Sequence, residues 1–174
     1  MKRIALLALP LLGTFAFAQV KQPARSEEHP DVRIEMKTAK GQSAGTATIT
    51  ETPHGVLIRF TPMNLPAGMH AIHLHETGRC DAPTFESAGG HFNPSKAAHG
   101  FASAKGYHAG DMPNIQVSAG RGSHEVFVSG VKLRTGQMLL DTDGAALVVH
   151  AGLDDHASDP AGNSGDRIAC GIVN

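Results

Sequence analysis

The sequence has no tryptophan, one tyrosine, two cysteines and almost no net charge; its 15 basic and 16 acidic side chains leave a formal −1 at pH 7. A nucleic-acid binder usually carries a strong basic excess, so this balance argues against that class and requires no anionic partner. Helix-length amphipathic runs are absent, which removes the usual signal for a helical domain. The apolar run from Ile4 to Leu12 is too short to span a bilayer comfortably.

That run follows Lys2 and Arg3 and precedes Ala16-Phe17-Ala18, a small-x-small cleavage site. The pattern is that of an export signal over residues 1–18, with an uncleaved anchor as the competing reading. No cysteine follows it, which argues against a lipid-modified start. The mature chain is therefore expected to begin near Gln19, to act in the periplasm or cell envelope, and to keep no integral membrane segment. Residues 19–30, polar with two prolines, read as a flexible lead-in. Residues 31–174 form one domain, in keeping with a length of 174 and 41% apolar content.

Export bears on Cys80 and Cys170. An oxidising compartment can join them, although two buried free thiols are the alternative. A bridge would tie the middle of the chain to its end and, on the chain-entropy model, stabilise by ~4–5 kcal/mol.

What the sequence has in quantity is glycine, 20 residues, and histidine, 11. Short segments alternate apolar and polar residues: DVRIEMKT with Val32, Ile34 and Met36 on one face, GTATITE, GVLIRFT, GMHAIHLH, HEVFVSGVKL, AALVVH and RIACGIV. Period-two segments separated by Gly, Pro and Asp turns predict an all-β antiparallel sandwich or barrel. Residues 78–114 and 151–167 break this rhythm. Loops of such length in a small domain are usually functional or disordered, and the first holds His91, His99 and His108.

In GMHAIHLH, Ile72 and Leu74 are the natural core-facing pair, so His73 and His75 project together from the outer face. A bare HxH is weak evidence for a metal. The pattern strengthens with His91, His99, His108 and Asp111 in one loop and with His150 at the rim of AALVVH. Three imidazoles and a carboxylate suit a closed tetrahedral zinc site, while imidazole also suits copper. His70 reads as structural; His54 and His124 flank turns and read as solvated, His29 lies in the lead-in and His156 in the acidic second loop, each with an ordinary role, and Tyr107 reads as loop packing.

GMHAIHLHETGRC, AGGHFNP, HG, HAGDMPNI, ALVVHAGLDD and GNSGDRIACGI, together spanning residues 68–173, resemble the copper–zinc superoxide dismutases, in particular their exported bacterial branch. The resemblance implies a flattened eight-stranded Greek-key barrel with two long functional loops, copper and zinc ions as cofactors, and superoxide anion as substrate. It implies copper ligands at His73, His75, His91 and His150, and zinc ligands at His91, His99, His108 and Asp111, with His91 shared. It pairs Cys80 with Cys170, places Arg167 beside the copper as the anion-docking group, and makes Asp154 the carboxylate linking His73 to His99. It leaves monomer and homodimer both open.

Zinc has no redox chemistry, so the implied electron transfer belongs to copper, with His91 carrying a proton during the cycle. The second loop contains aspartates but no lysine, so charges that guide the anion must come from elsewhere, with Lys96 and Lys105 as candidates. Two rivals remain. A cupin-type enzyme also uses HxH, but needs a glutamate several residues later, whereas Glu76 follows His75 directly. The other is an exported copper/zinc-binding domain of the same fold without turnover.

Overall fold

The computed structural model describes residues 32–119 and 122–174. The export signal and the lead-in expected over residues 1–30 lie outside the described residues. The fold is all-β. Its strands are β1 Val32–Thr38, β2 Ser43–Thr52, β3 Gly55–Pro62, β4 Gly68–His70, β5 Ile72–His75, β6 Ile115–Val117, β7 His124–Ser129, β8 Val131–Lys132, β9 Gln137–Met138, β10 Ala145–His150 and β11 Arg167–Val173.

Seven strands pair in the order β5-β10-β11-β1-β2-β3-β7, and β4 pairs with β6. The predicted segment GMHAIHLH is interrupted at Ala71, whose N–H donates to Gly152 O and whose carbonyl accepts from His150 N–H. Counting β4 and β5 as one interrupted strand gives an eight-membered, strongly curled ladder running from β6 to β7. HEVFVSGVKL also divides, at Gly130, where φ is +76°. The β8–β9 pair is parallel, a two-residue departure from the expected antiparallel pattern.

Alternation places the core as expected. Ile34, Met36, Ile49, Ile58, Phe60, Leu74 and Leu147 are fully buried inside the curl. A smaller apolar cluster of Phe85, Ala88, Ala146, Val148 and Cys170 lies on the outer side of β10 and β11, beneath the first long loop. The loop is pinned there by the Cys80–Cys170 disulfide, with Cα atoms 5.7 Å apart.

One irregularity matters for the site. Along β10 and β11, Val148 faces Cys170 and Val149 faces Ala169, but His150 faces Arg167. The skipped residue, Ile168, packs against the inner core. This β-bulge brings Arg167 to the outer face beside His150, where an unbroken register would have put Ile168.

Candidate metal centre

β5 pairs with β10 so that His73 stands opposite Val148 and His75 opposite Ala146. Ile72 and Leu74 point into the core, so the two histidines do leave the outer face as the alternation predicts. That face is not open to water. The two long loops cover it, and His73 and His75 are both fully buried. His150 at the end of β10 and His91 from the first loop complete one group, whose potential ligand atoms lie within 4.8 Å of one another.

In this group each ring has one nitrogen tied to the protein and one left over. His73 Nε2 lies 2.9 Å from Asp154 Oδ2, and His75 Nδ1 lies 3.0 Å from Gly89 O. His150 Nδ1 lies 3.1 Å from both Gly165 O and Ser164 Oγ. His91 Nδ1 lies 2.9 Å from Asp111 Oδ1. The opposite atoms, His73 Nδ1 and the Nε2 atoms of His75, His91 and His150, are buried without any hydrogen-bond partner. An unpaired buried polar atom is costly, and four converging in one place fit a cation that would satisfy them all.

The second group is His91, His99, His108 and Asp111. Asp111 Oδ1 lies 2.9 Å from His91 Nδ1 and 3.2 Å from the Nδ1 atoms of both His99 and His108. His108 Nδ1 is also 3.3 Å from His91 Nδ1. Zinc–nitrogen bonds of about 2.0–2.1 Å in a tetrahedron set neighbouring donors about 3.3 Å apart, so these residues fit zinc with little movement. Asp111 Oδ2 accepts from Gly100 N–H and His108 N–H at 2.8 and 3.0 Å, which leaves Oδ1 for the shared point. His91 thus presents Nε2 to one group and Nδ1 to the other.

Burial governs the charge states. It lowers the pKa of His91 to about 4, although the Asp111 hydrogen bond pulls the other way, and lowers that of His150 to about 3. Burial also pushes His73 down and His75 well down. These imidazoles are therefore neutral near pH 7, the form that binds metal. For Asp111, burial pushes upward, but hydrogen bonds from His91 and Gly100 outweigh it and leave a value of about 2. Burial likewise pushes Asp154 up, yet contacts with His73 and His99 hold it well below the usual carboxylate range.

Asp154, expected to link His73 to His99, does so. Its Oδ1 lies 2.9 Å from His99 Nε2, and its Oδ2 takes the His73 contact. His73, His99 and Asp154 also lie close enough together to hold an ion, but both carboxylate oxygens are already used in these hydrogen bonds. Arg167 forms no ion pair among the described residues. Its Nη1 and Nη2 donate to Phe85 O and Gly89 O, each at 2.7 Å. Gly89 O therefore contacts both the guanidinium and the His75 ring. Arg167 lines a cavity of about 710 Å³ together with Lys40, Glu86 and Asp166. Lys40, from the β1–β2 turn, is the lysine beside Arg167; neither Lys96 nor Lys105 lines this cavity.

Two histidines read as having an ordinary role, one of them as solvated, are partly covered. His156 is half-buried beside Asp154, and His124 is half-buried with its pKa lowered by burial. His54 is exposed. His70 is buried, with Nδ1 2.9 Å from His150 O and Nε2 3.0 Å from Pro66 O, a structural placement. Tyr107 packs edge-on against Phe101 at 5.2 Å. Sequence reasoning also missed Asn114, which holds the backbone of Asp154, and Glu76, whose Oε1 accepts from Gly90 N–H at 2.9 Å next to His91. The one signal within reach was that Asn114 lies inside the HAGDMPNI motif and that Glu76 directly follows the HxH pair.

Comparison with known proteins agrees with this geometry. The sequence profile described as copper/zinc superoxide dismutase (SODC) matches residues 43–173. Superoxide dismutase [Cu-Zn] 1 of Aquifex aeolicus is 49% identical over 138 residues, covering 77% of this chain and 82% of that protein. Superoxide dismutase [Cu-Zn] 2 of the same organism is 46% identical over 167 residues, covering 94% and 98%. The crystal structure of a SOD-like protein from Bacillus subtilis superposes with a TM-score of 0.78 at 35% identity, covering 82% of this chain and 97% of that one. With six buried donor residues gathered around His91 and a family profile spanning most of the described domain, the chain belongs to the copper/zinc superoxide dismutase family.

Proposed function

We propose that the chain dismutates superoxide to oxygen and hydrogen peroxide at a copper–zinc centre joined through His91. The observation that carries this reading is the two-sided placement of His91, one nitrogen in each buried donor set. The all-imidazole set of His73, His75, His91 and His150 suits copper, and the set of His91, His99, His108 and Asp111 suits zinc. When bound, copper supplies the one-electron exchange that oxidises one superoxide and reduces a second, while zinc supplies a fixed charge without redox chemistry.

The chain's own residues do the rest. His91 Nε2 is the atom at which a proton can be held and delivered, because Nδ1 is committed to the Asp111 side. Arg167 docks the anion, its permanent charge aimed by the two carbonyls that hold it. The disulfide braces the loop that carries those carbonyls. Asp154 keeps His73 and His99 in fixed tautomers, as hydrogen-bond partners of ligand histidines do. The test is superoxide decay with metal-reconstituted protein, with His150→Ala as control. The native chain should exceed the free-copper background and the variant should fall to it; native protein at background would refute the assignment.

We also infer that the protein works outside the cytoplasm. The Cys80–Cys170 disulfide and the leader pattern of residues 1–18 support this reading. Amino-terminal sequencing of protein from the cell envelope should begin near Gln19; an intact Met1 would count against it.

A further inference from the structure

Asp154 reaches both donor sets, so its own placement needs a cause. Its side chain is fully buried, yet it sits in a loop with no strand register to hold it. The hold comes from Asn114, which immediately precedes β6. Asn114 Oδ1 accepts from Asp154 N–H at 2.8 Å, and Asn114 Nδ2 donates to Asp154 O at 2.9 Å. One side-chain amide therefore grips both backbone polar groups of Asp154, as a neighbouring strand would.

The same amide orients a third histidine. Asn114 Nδ2 lies 3.2 Å from His156 Nε2; since the amide nitrogen can only donate, that ring nitrogen accepts and the ring proton sits on Nδ1. His156 Nδ1 lies 3.4 Å from Asp154 Oδ2 without forming a hydrogen bond, and the His156 backbone N–H donates to Asp154 Oδ1 at 2.6 Å. The ring also lies 5.3 Å from that of Phe101. The carboxylate thus meets His73, His99 and the His156 backbone N–H, with the His156 ring packed alongside.

We propose that Asn114 is a positioning residue of the metal centre: acting with His156, it sets Asp154 so that one carboxylate meets His73 and His99 together. The proposal rests on the copper and zinc assignment above. Asn combines a donor and an acceptor at the reach this grip needs, which alanine lacks entirely.

The experiment uses the full metal-reconstituted chain and four variants: Asn114→Ala, His156→Phe, Asp154→Asn and the Asn114→Ala/Asp154→Asn double. Zinc retention is read by chelator competition, and the copper environment by the Cu(II) electron paramagnetic resonance spectrum. Asn114→Ala should weaken zinc retention by roughly 10-fold, as loss of a partner behind the ligands does, and should change the copper spectrum. The double variant should retain zinc no worse than Asp154→Asn alone, because residues acting through one another are not additive. Should Asn114→Ala fail to fold, His156→Phe, which preserves the aromatic contact, should show a smaller loss in the same direction. Native-like retention and spectrum in the single variants, or losses that add in the double, would overturn the proposal. A native chain that binds neither metal would instead refute the site assignment.

Discussion

At the residue scale the site depends on atoms with no alternative occupant. Gly162 has φ +62°, and a Cβ there would lie 1.8 Å from Asp154 Oδ1 and 2.7 Å from His99 Nε2. Gly162→Ala should therefore break the Asp154–His99 contact and weaken zinc retention by roughly 10-fold. Gly136 supplies the control: it too is left-handed, at φ +66°, but a Cβ there meets nothing within 4 Å. Gly136→Ala should carry the backbone strain of about 1 kcal/mol and keep its zinc. Equal zinc affinity in the two variants would show that displacement of the carboxylate does not govern zinc retention. The histidines of the two donor sets were legible in the sequence because their side chains are the chemistry. Asn114, His156 and the carbonyl of Gly89 were not, since their roles come from approaches across 40 or more residues for Asn114, or from backbone atoms that every residue carries.

At the element scale, alternation predicted the faces of β1, β3 and β5 well, because one side of each packs into the curl. It did not predict that the opposite face of β5 would be buried. A period-two pattern reports inward against outward within a sheet, not whether a loop lies over the outside. The first long loop shows what such a cover needs. Its Phe85 and Gly89 carbonyls hold Arg167, and its anchor to β11 is the disulfide. Cys80→Ser should lower the superoxide rate at full metal loading, as Arg167 loses its fixed aim, and should speed thermal inactivation. Loss of such a bridge typically costs about 2–5 kcal/mol. A variant with native rate and native inactivation half-life would remove the brace from the account.

At the scale of the whole molecule, the buried imidazoles couple folding to pH. In metal-free protein His91 and His150 titrate at about 4 and about 3, against 6.5 for the free side chain. Below pH 6.5 the unfolded chain takes up protons that the folded chain refuses, so stability present above that pH is lost as pH falls toward 4 and 3. The melting temperature of chelated protein should thus decline steadily from pH 6.5 to pH 4; a flat profile there would contradict the burial of these rings as neutral groups. Bound metal should flatten the upper part of the curve, since it stabilises the folded state and withholds the same nitrogens from protons.

The bulge at Ile168 has a consequence for how the domain can change. Side chains alternate along a strand, so a shift of one residue exchanges every side chain between faces. Closing the bulge at unchanged length would set Ile168 opposite His150 and turn the guanidinium away, whereas deleting Ile168 would straighten the ladder and leave Arg167 opposite His150. The placement of the Arg167 charge therefore depends on the register of that short span of β11 as much as on the identity of the residue.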